Sequence, residues 1–139
     1  MTTSRKDIPE DLARFRETYV ELFGMLPPLP TARFEFSSEI NPEFLRLSER
    51  LRAHAFYSDV FDLKTTHLLL FGMLLMDAHP AAQMHALAAH RAGASWKELH
   101  KVVEIASATK SLGPANIGAA MLKALRDDEP SFFNRSQAT

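Results

Sequence analysis

The chain contains no cysteine. That excludes disulfides, thiolate nucleophiles and thiolate metal ligands together, and it suits a cytoplasmic protein, the location we expect. An excess of either charge is missing too: sixteen basic residues face seventeen acidic ones, a formal net charge of −1. Nucleic acid is therefore not expected as a partner, because phosphate binding relies on clustered Lys and Arg. Long apolar runs are absent. "LLLFGMLLM" (Leu68 to Met76) spans nine residues, where a membrane crossing needs roughly twenty, so no membrane association is expected. The opening MTTSRKDIPEDL has no apolar segment, and we expect no signal peptide.

What is present is ordinary for a soluble globular domain: 139 residues, 46% apolar and 24% charged, enough for one hydrophobic core. Six helices and no convincing strand can be read, which predicts an all-α, single-domain bundle. The first helix runs from about Ile8 to Phe23, with Leu12, Phe15, Tyr19, Leu22 and Phe23 on one face, and Gly24 stops it. "MLPPLP" then reads as a stiff connector rather than a P-x-x-P adaptor ligand. "RFEF" (Arg33 to Phe36) reads as extended loop, with Phe34 and Phe36 packing onto the bundle.

Asn41-Pro42-Glu43 supplies an N-cap, an N1 proline and a first-turn acid for a second helix, to about Phe56. Asp62 caps a third, Leu63 to about Asp77. Pro80 opens a fourth, ending at Gly93. Ser95-x-x-Glu98 is a capping box that starts a fifth, with Leu99, Val102, Val103 and Ala106 on its buried face. Gly113-Pro114 is expected to end that helix and begin the sixth, to about Arg126. The methionines, Met73, Met76 and Met84 among them, read as core filler.

Three imidazoles stand out in "HPAAQMHALAAHRAG": His79, His85 and His90. Chelation from one helix needs ligands on one face, as at i and i+4. Spacings of six and five turn these side chains about 240° and 140° apart, at roughly 100° per residue. No Asp or Glu lies between Ala78 and Lys97, so this segment offers no carboxylate, and neither a metal nor another cofactor is expected. Acid–base chemistry is the sharper reading. His85 shares a face with Ala81, Ala82, Ala88, Ala89 and Ala92, which allows close helix approach or leaves room for a small molecule. His67 begins what reads as the most buried helix, where a helix N-terminus lowers an imidazole pKa. On facing helices the two could move protons near neutral pH. The competing reading makes both ordinary core histidines. His54, His90 and His100 fit solvated or interface positions.

Residues 62–122, a little under half the chain, resemble the carboxymuconolactone decarboxylase and alkylhydroperoxidase D-like family. The matching features are K-T-x-x-L from Lys64 to Leu68, H-x7-G-A-S-x-x-E-L from His85 to Leu99, and Gly113-Pro114-Ala115. The resemblance implies one domain over residues 1–139: a core at 62–126, an N-terminal helical extension at 1–61 and a tail at 127–139. The family's peroxidase branch carries C-x-x-C where this chain has Ala78 and Ala81, which excludes thiol peroxidase chemistry. His67 stands where that branch has a glutamate, and Leu87 where the decarboxylase branch commonly has an arginine.

The implied function is a cofactor-independent lyase or isomerase acting on a small unsaturated carboxylate or lactone in aromatic catabolism. His85 would be the general acid delivering a proton to carbon, and His67 would orient or relay it. Lys64 and Arg52 would hold the substrate carboxylate. The alternative is a non-catalytic oligomeric or small-molecule-binding protein with a degenerate site. A homo-oligomer is expected, a trimer or hexamer by the resemblance. It would be built around the all-apolar helix at Leu68 to Met76, with Phe132 and Phe133 of the tail docking on a neighbour.

Overall fold

The computed structural model describes residues 8–136, with side chains as far as residue 128. The architecture is all-α. Its helices are α1 (Glu10–Phe23), α2 (Pro28–Ile40), α3 (Pro42–Phe56), α4 (Leu63–Met76), α5 (Ala82–Arg91) and α6 (Trp96–Ser136). Among the described residues none is long and apolar enough to cross a membrane.

The caps expected from sequence form as hydrogen bonds. Asn41 Oδ1 accepts from the Phe44 N–H at 3.0 Å, and Asp62 Oδ1 from the Thr65 N–H at 2.7 Å. Ser95 and Glu98 close a reciprocal box at 3.2 and 2.7 Å. Gly24 ends α1 in the left-handed region (φ 77°), and Gly93 follows α5 at φ 105°, conformations costly for a residue with a Cβ.

Two cores share α5 as a common wall. Leu12, Tyr19, Phe23, Phe34 and Leu45 pack with Ala88, while Phe71, Ala82, Ala94 and Leu99 pack with Ala89. Adjacent alanines, about 100° apart on the helix, thus touch different cores, and their small size lets helices approach α5 closely. At the α4–α6 crossing, a Cβ added to Gly72 would meet Val102 Cγ1 at 3.2 Å.

The structure departs from the sequence reading in two elements. Residues 28–40 form α2 rather than a connector and extended loop. Pro28 begins it, where its missing N–H has no intrahelical partner to lose, and the β-like alternation of RFEF is overridden by packing against α3. Phe34 is buried as expected, but Phe36 is exposed. Gly113-Pro114, read as a break, lies inside one continuous 41-residue helix, α6. A proline costs an interior helix about 3 kcal/mol and frees one carbonyl. Here that carbonyl faces water, and "ANIGAAMLKALR" beyond it is rich in good helix formers. The tail expected from residue 127 therefore continues α6 as far as Ser136, and the side chains of Phe132 and Phe133 lie outside the described residues. Met73, read as core filler, is exposed on α4 beside Leu69.

Candidate functional site

The cavity between α1, α2, α3 and the α4–α5 pair is about 480 Å³ and open to solvent on one side. His67 enters from the second turn of α4 and His85 from the first turn of α5, and their Nδ1 atoms meet at 3.0 Å. The rings stack at 5.2 Å between centroids, 22° from parallel. Phe23 of α1 and Phe56 of α3 stand edge-on to His85 at 5.7 and 6.1 Å. Leu22, Met84, Ala81 and the Pro27–Pro30 turn complete a largely apolar lining.

Two neutral imidazoles in Nδ1–Nδ1 contact need one N–H and one lone pair between them. His67 is fully buried, and its Nε2 is the one buried side-chain nitrogen or oxygen without a partner among the described residues. A buried unpaired N–H is rarer than an under-satisfied acceptor. The proton of His67 is therefore placed on Nδ1, donating to His85 Nδ1. That leaves His85 with an Nε2–H that no acceptor among the described residues engages, on a ring lining the cavity.

Both pKa values lie below the ordinary imidazole value. Burial is the first cause for each. Arg52 adds repulsion at His67, and His67 followed by Arg52 adds it at His85, which falls to about 4. The near-neutral values expected from sequence are thus corrected downward, with desolvation as the leading cause.

This shift makes stability depend on pH. Unfolded imidazoles take up protons near pH 6.5, whereas the folded pair resists until lower pH, so the unfolded state binds more protons in between. The pair's contribution is complete above about 6.5 and is lost as pH falls toward about 4. With partial exposure of His85 allowed for, the loss is on the order of 2 kcal/mol. Urea midpoints at pH 7 and 4.5 for wild type and His67→Gln/His85→Gln measure it. The variant should lose distinctly less stability on acidification, and parallel pH profiles would contradict the assignment.

Beside the histidines lies an ionic cluster that sequence reading missed. Glu49 of α3 is fully buried. It accepts from Tyr19 Oη at 3.0 Å and Arg52 Nε at 2.9 Å, and it pairs with Arg33 Nη2. Arg52 also donates to Thr18 Oγ1 at 2.6 Å and Tyr57 Oη at 3.2 Å, and its guanidinium lies 4.0 Å from the Tyr19 ring centroid. Tyr19 is pushed up to about 12, chiefly by burial. Burial opposes the charge on Arg52, but Tyr19 and Glu49 more than offset it and hold its pKa above the usual value. Two guanidiniums against one carboxylate leave one net positive charge on the cavity wall.

The expected carboxylate holders separate here. Lys64 does not line the cavity; its Nζ pairs with Glu98 Oε1 at 3.0 Å, tying α4 to α6. Arg52 does line it, yet all three of its nitrogens are engaged by Glu49, Thr18 and Tyr57. Arg33 lines it as well and, among the described residues, donates only through Nη2, to Glu49 and Tyr19, so that none of them takes up Nε or Nη1. It sits on the helix that sequence read as loop. His79 also lines the cavity, and its Nδ1 accepts from the Ala81 N–H at 3.1 Å. His90 stays outside, on the Ala94 carbonyl and the Trp96 ring. Among the described residues no three His, Asp or Glu side chains converge as metal ligands would.

The chain matches no family model, no curated protein and no solved structure.

Proposed function

We propose that this protein is a cofactor-independent proton-transfer catalyst, a lyase or isomerase, acting on a small unsaturated carboxylate or lactone. Its fold would be the carboxymuconolactone decarboxylase and alkylhydroperoxidase D-like one that residues 62–122 resemble. The observation that carries this reading is the His67–His85 pair in an apolar cavity whose wall bears net positive charge and the open donors of Arg33. A carboxylate would be held by Arg33, in place of the Lys64 read from sequence, with its conjugated body against Phe23, Phe56 and Met84.

Such substrates contain their own electron sink. On loss of CO2 the carbon–carbon bonding pair moves into the conjugated carbonyl, and the resulting dienolate takes a proton at carbon from His85 Nε2. The pair carries one proton beyond its neutral state, taken up with the anion, so this transfer returns it to neutral and leaves no imidazolate, while the shared Nδ1 proton shifts from His67 to His85. In isomerisation His85 Nε2 first delivers its proton to one carbon and, then free, removes one from another. A bound anion also supplies the charge that Arg52 denies the imidazoles, so it raises their pKa and couples binding to proton uptake.

Two measurements test the reading. Sorbate, a small dienoate, should bind more tightly than its amide, and Arg33→Met should weaken sorbate about 10- to 100-fold while sparing the amide, the scale of a lost charge-assisted hydrogen bond. Wild-type affinity for the anion should rise as pH falls from 7 toward about 5.5, above the range in which a carboxylic acid takes up its own proton, and calorimetry in two buffers should show proton uptake. Equal sorbate binding by Arg33→Met rejects the carboxylate site. For catalysis, unsaturated lactones and carboxylates are incubated in D2O and followed by NMR. Deuterium at carbon or release of CO2 is expected. Sorbate binding without either, across the panel, would favour the alternative, a small-molecule-binding protein.

A further inference from the structure

Lys110 makes the last hydrogen bond from α6 to another helix, Nζ to the Met76 carbonyl at 2.8 Å. Among the described residues, the side-chain hydrogen bonds and ion pairs from Ser111 to Asp127 are internal to α6. All residues from 107 to 128 are exposed except half-buried Gly118. A helix in water on all sides normally carries charge around most of its surface. Here the twelve residues Ser111 to Leu122, "SLGPANIGAAML", contain no ionisable side chain. Leu112, Ile117, Met121, Leu122 and Leu125 stand between 49% and 69% exposed. The face that buries Leu99, Val102 and Ala106 runs on, at helical spacing, through Gly113, Ile117, Ala120 and Ala124, without a partner.

A second unpartnered surface lies at the other end of the sequence. On α2, Leu29, Phe36 and Ile40 recur at seven and four residues on one exposed face, away from buried Phe34. On α3, Phe44, Leu47 and Leu51 form an exposed stripe opposite buried Leu45 and Glu49. These six side chains are 56–70% exposed, on two helices joined by Asn41 alone.

We propose that the distal half of α6 is an exchange arm that docks on the α2–α3 pair of a second copy of this chain. Length argues for a second copy. Residues 107–136 extend about 45 Å at 1.5 Å per residue, beyond the roughly 30 Å width of a small domain, so a straight arm leaves its own body behind. Area argues for reciprocity. Leu112 lies on the opposite side of α6 from Met121, so the arm presents Ile117, Met121, Leu122 and Leu125. At roughly 100 Å² of apolar surface per large side chain, these and the dock's six amount to about 1,000 Å² for one arm on one dock. A single such contact has the size of a transient encounter. The two-fold exchange reaches about 2,000 Å², where stable standard-size interfaces meet permanent homodimers. It also closes, because each copy contributes one arm and one dock. This interface differs from the α4-centred one expected from sequence, and it does not depend on the proposed chemistry.

The test uses the full chain and light scattering at micromolar concentration. Wild type should have a mass of about 31 kDa, twice the 15.6 kDa chain. Ile117→Glu/Met121→Glu disables the arm while keeping helix propensity, and Phe36→Glu/Leu51→Glu disables the dock. Each should be monomeric with wild-type helicity by circular dichroism, since all four positions are exposed. Mixing the two variants restores one intact arm-and-dock contact, which is of transient size, and should return a dimer fraction when the mixture is concentrated to about 1 mM. A monomeric wild type overturns the exchange. So does either variant at wild-type mass, or a mixture that gains no dimer. Because the chain has no cysteine, Met121→Cys/Leu51→Cys gives an independent reading without background. A disulfide between chains supports exchange, and one within a chain means that α6 folds back at Gly113-Pro114, which refutes it.

Discussion

His85→Gln is expected to lower turnover of an accepted unsaturated carboxylate or lactone by about 10²- to 10⁴-fold, the usual contribution of a positioned acid–base group. Gln keeps approximate volume and polarity and can still meet His67 Nδ1, so thermal stability should stay within about 1–2 kcal/mol. The variant separates chemistry from binding: sorbate affinity at pH 7, where the wild-type pair is neutral in the free protein, should change far less than turnover. His67→Gln should cost less than His85→Gln, because His67 Nε2 is sealed from the cavity and its imidazole acts through His85. Near-normal turnover in His85→Gln would remove the proposed acid. Equal losses in both variants would make the pair a single proton-sharing unit, without separate donor and relay roles.

Glu49→Ala should be the most destabilising single change in the site. The carboxylate is fully buried and is the one acidic group holding Arg33, Arg52 and the Tyr19 hydroxyl together. Its removal leaves two guanidiniums facing each other across an apolar gap, and breaking a buried pair in this way costs about 3–5 kcal/mol. Arg33 is about one third exposed and can turn toward solvent, which places the expectation at the lower end. Arg52 is held by α3 and cannot. For a domain with a typical stability of about 5–15 kcal/mol, urea unfolding should show the loss plainly. Glu49→Gln, which keeps hydrogen bonding but not charge, should fall between alanine and wild type. A loss below about 1 kcal/mol in Glu49→Ala would mean that the arginines do not depend on this carboxylate.

Most of the helices were legible because their signals are local. Asn41, Asp62 and the Ser95–Glu98 box each satisfy backbone N–H groups within three residues of themselves, so chain order alone placed those starts. The two departures arose where a local signal met a longer-range one. Proline at position 28 reads equally as a connector or as a helix N1, and only the burial of Phe34 against α1 and α3 decides. At Gly113-Pro114 the break signal was outweighed by strong helix formers on both sides and by water for the freed carbonyl.

For the site, residue type and spacing singled out His67 and His85 as imidazoles on two apolar helices. Arg33 and Glu49 went unrecognised. A trace of Glu49 was present: Leu45, Glu49, Arg52 and Phe56 recur at four, three and four residues, which puts a carboxylate on the buried face of α3. Nothing local marked Arg33, since its helix was itself misread. What the sequence by itself determined was the all-helical class, the caps and the two histidines, all of which depend on neighbours a few residues away. The Nδ1–Nδ1 contact, the depressed imidazole pKa values and the placement of Arg33, not Lys64, on the cavity wall were decided by the tertiary structure. Each depends on desolvation and on charges brought together from helices far apart in the chain, quantities that no spacing along one helix encodes.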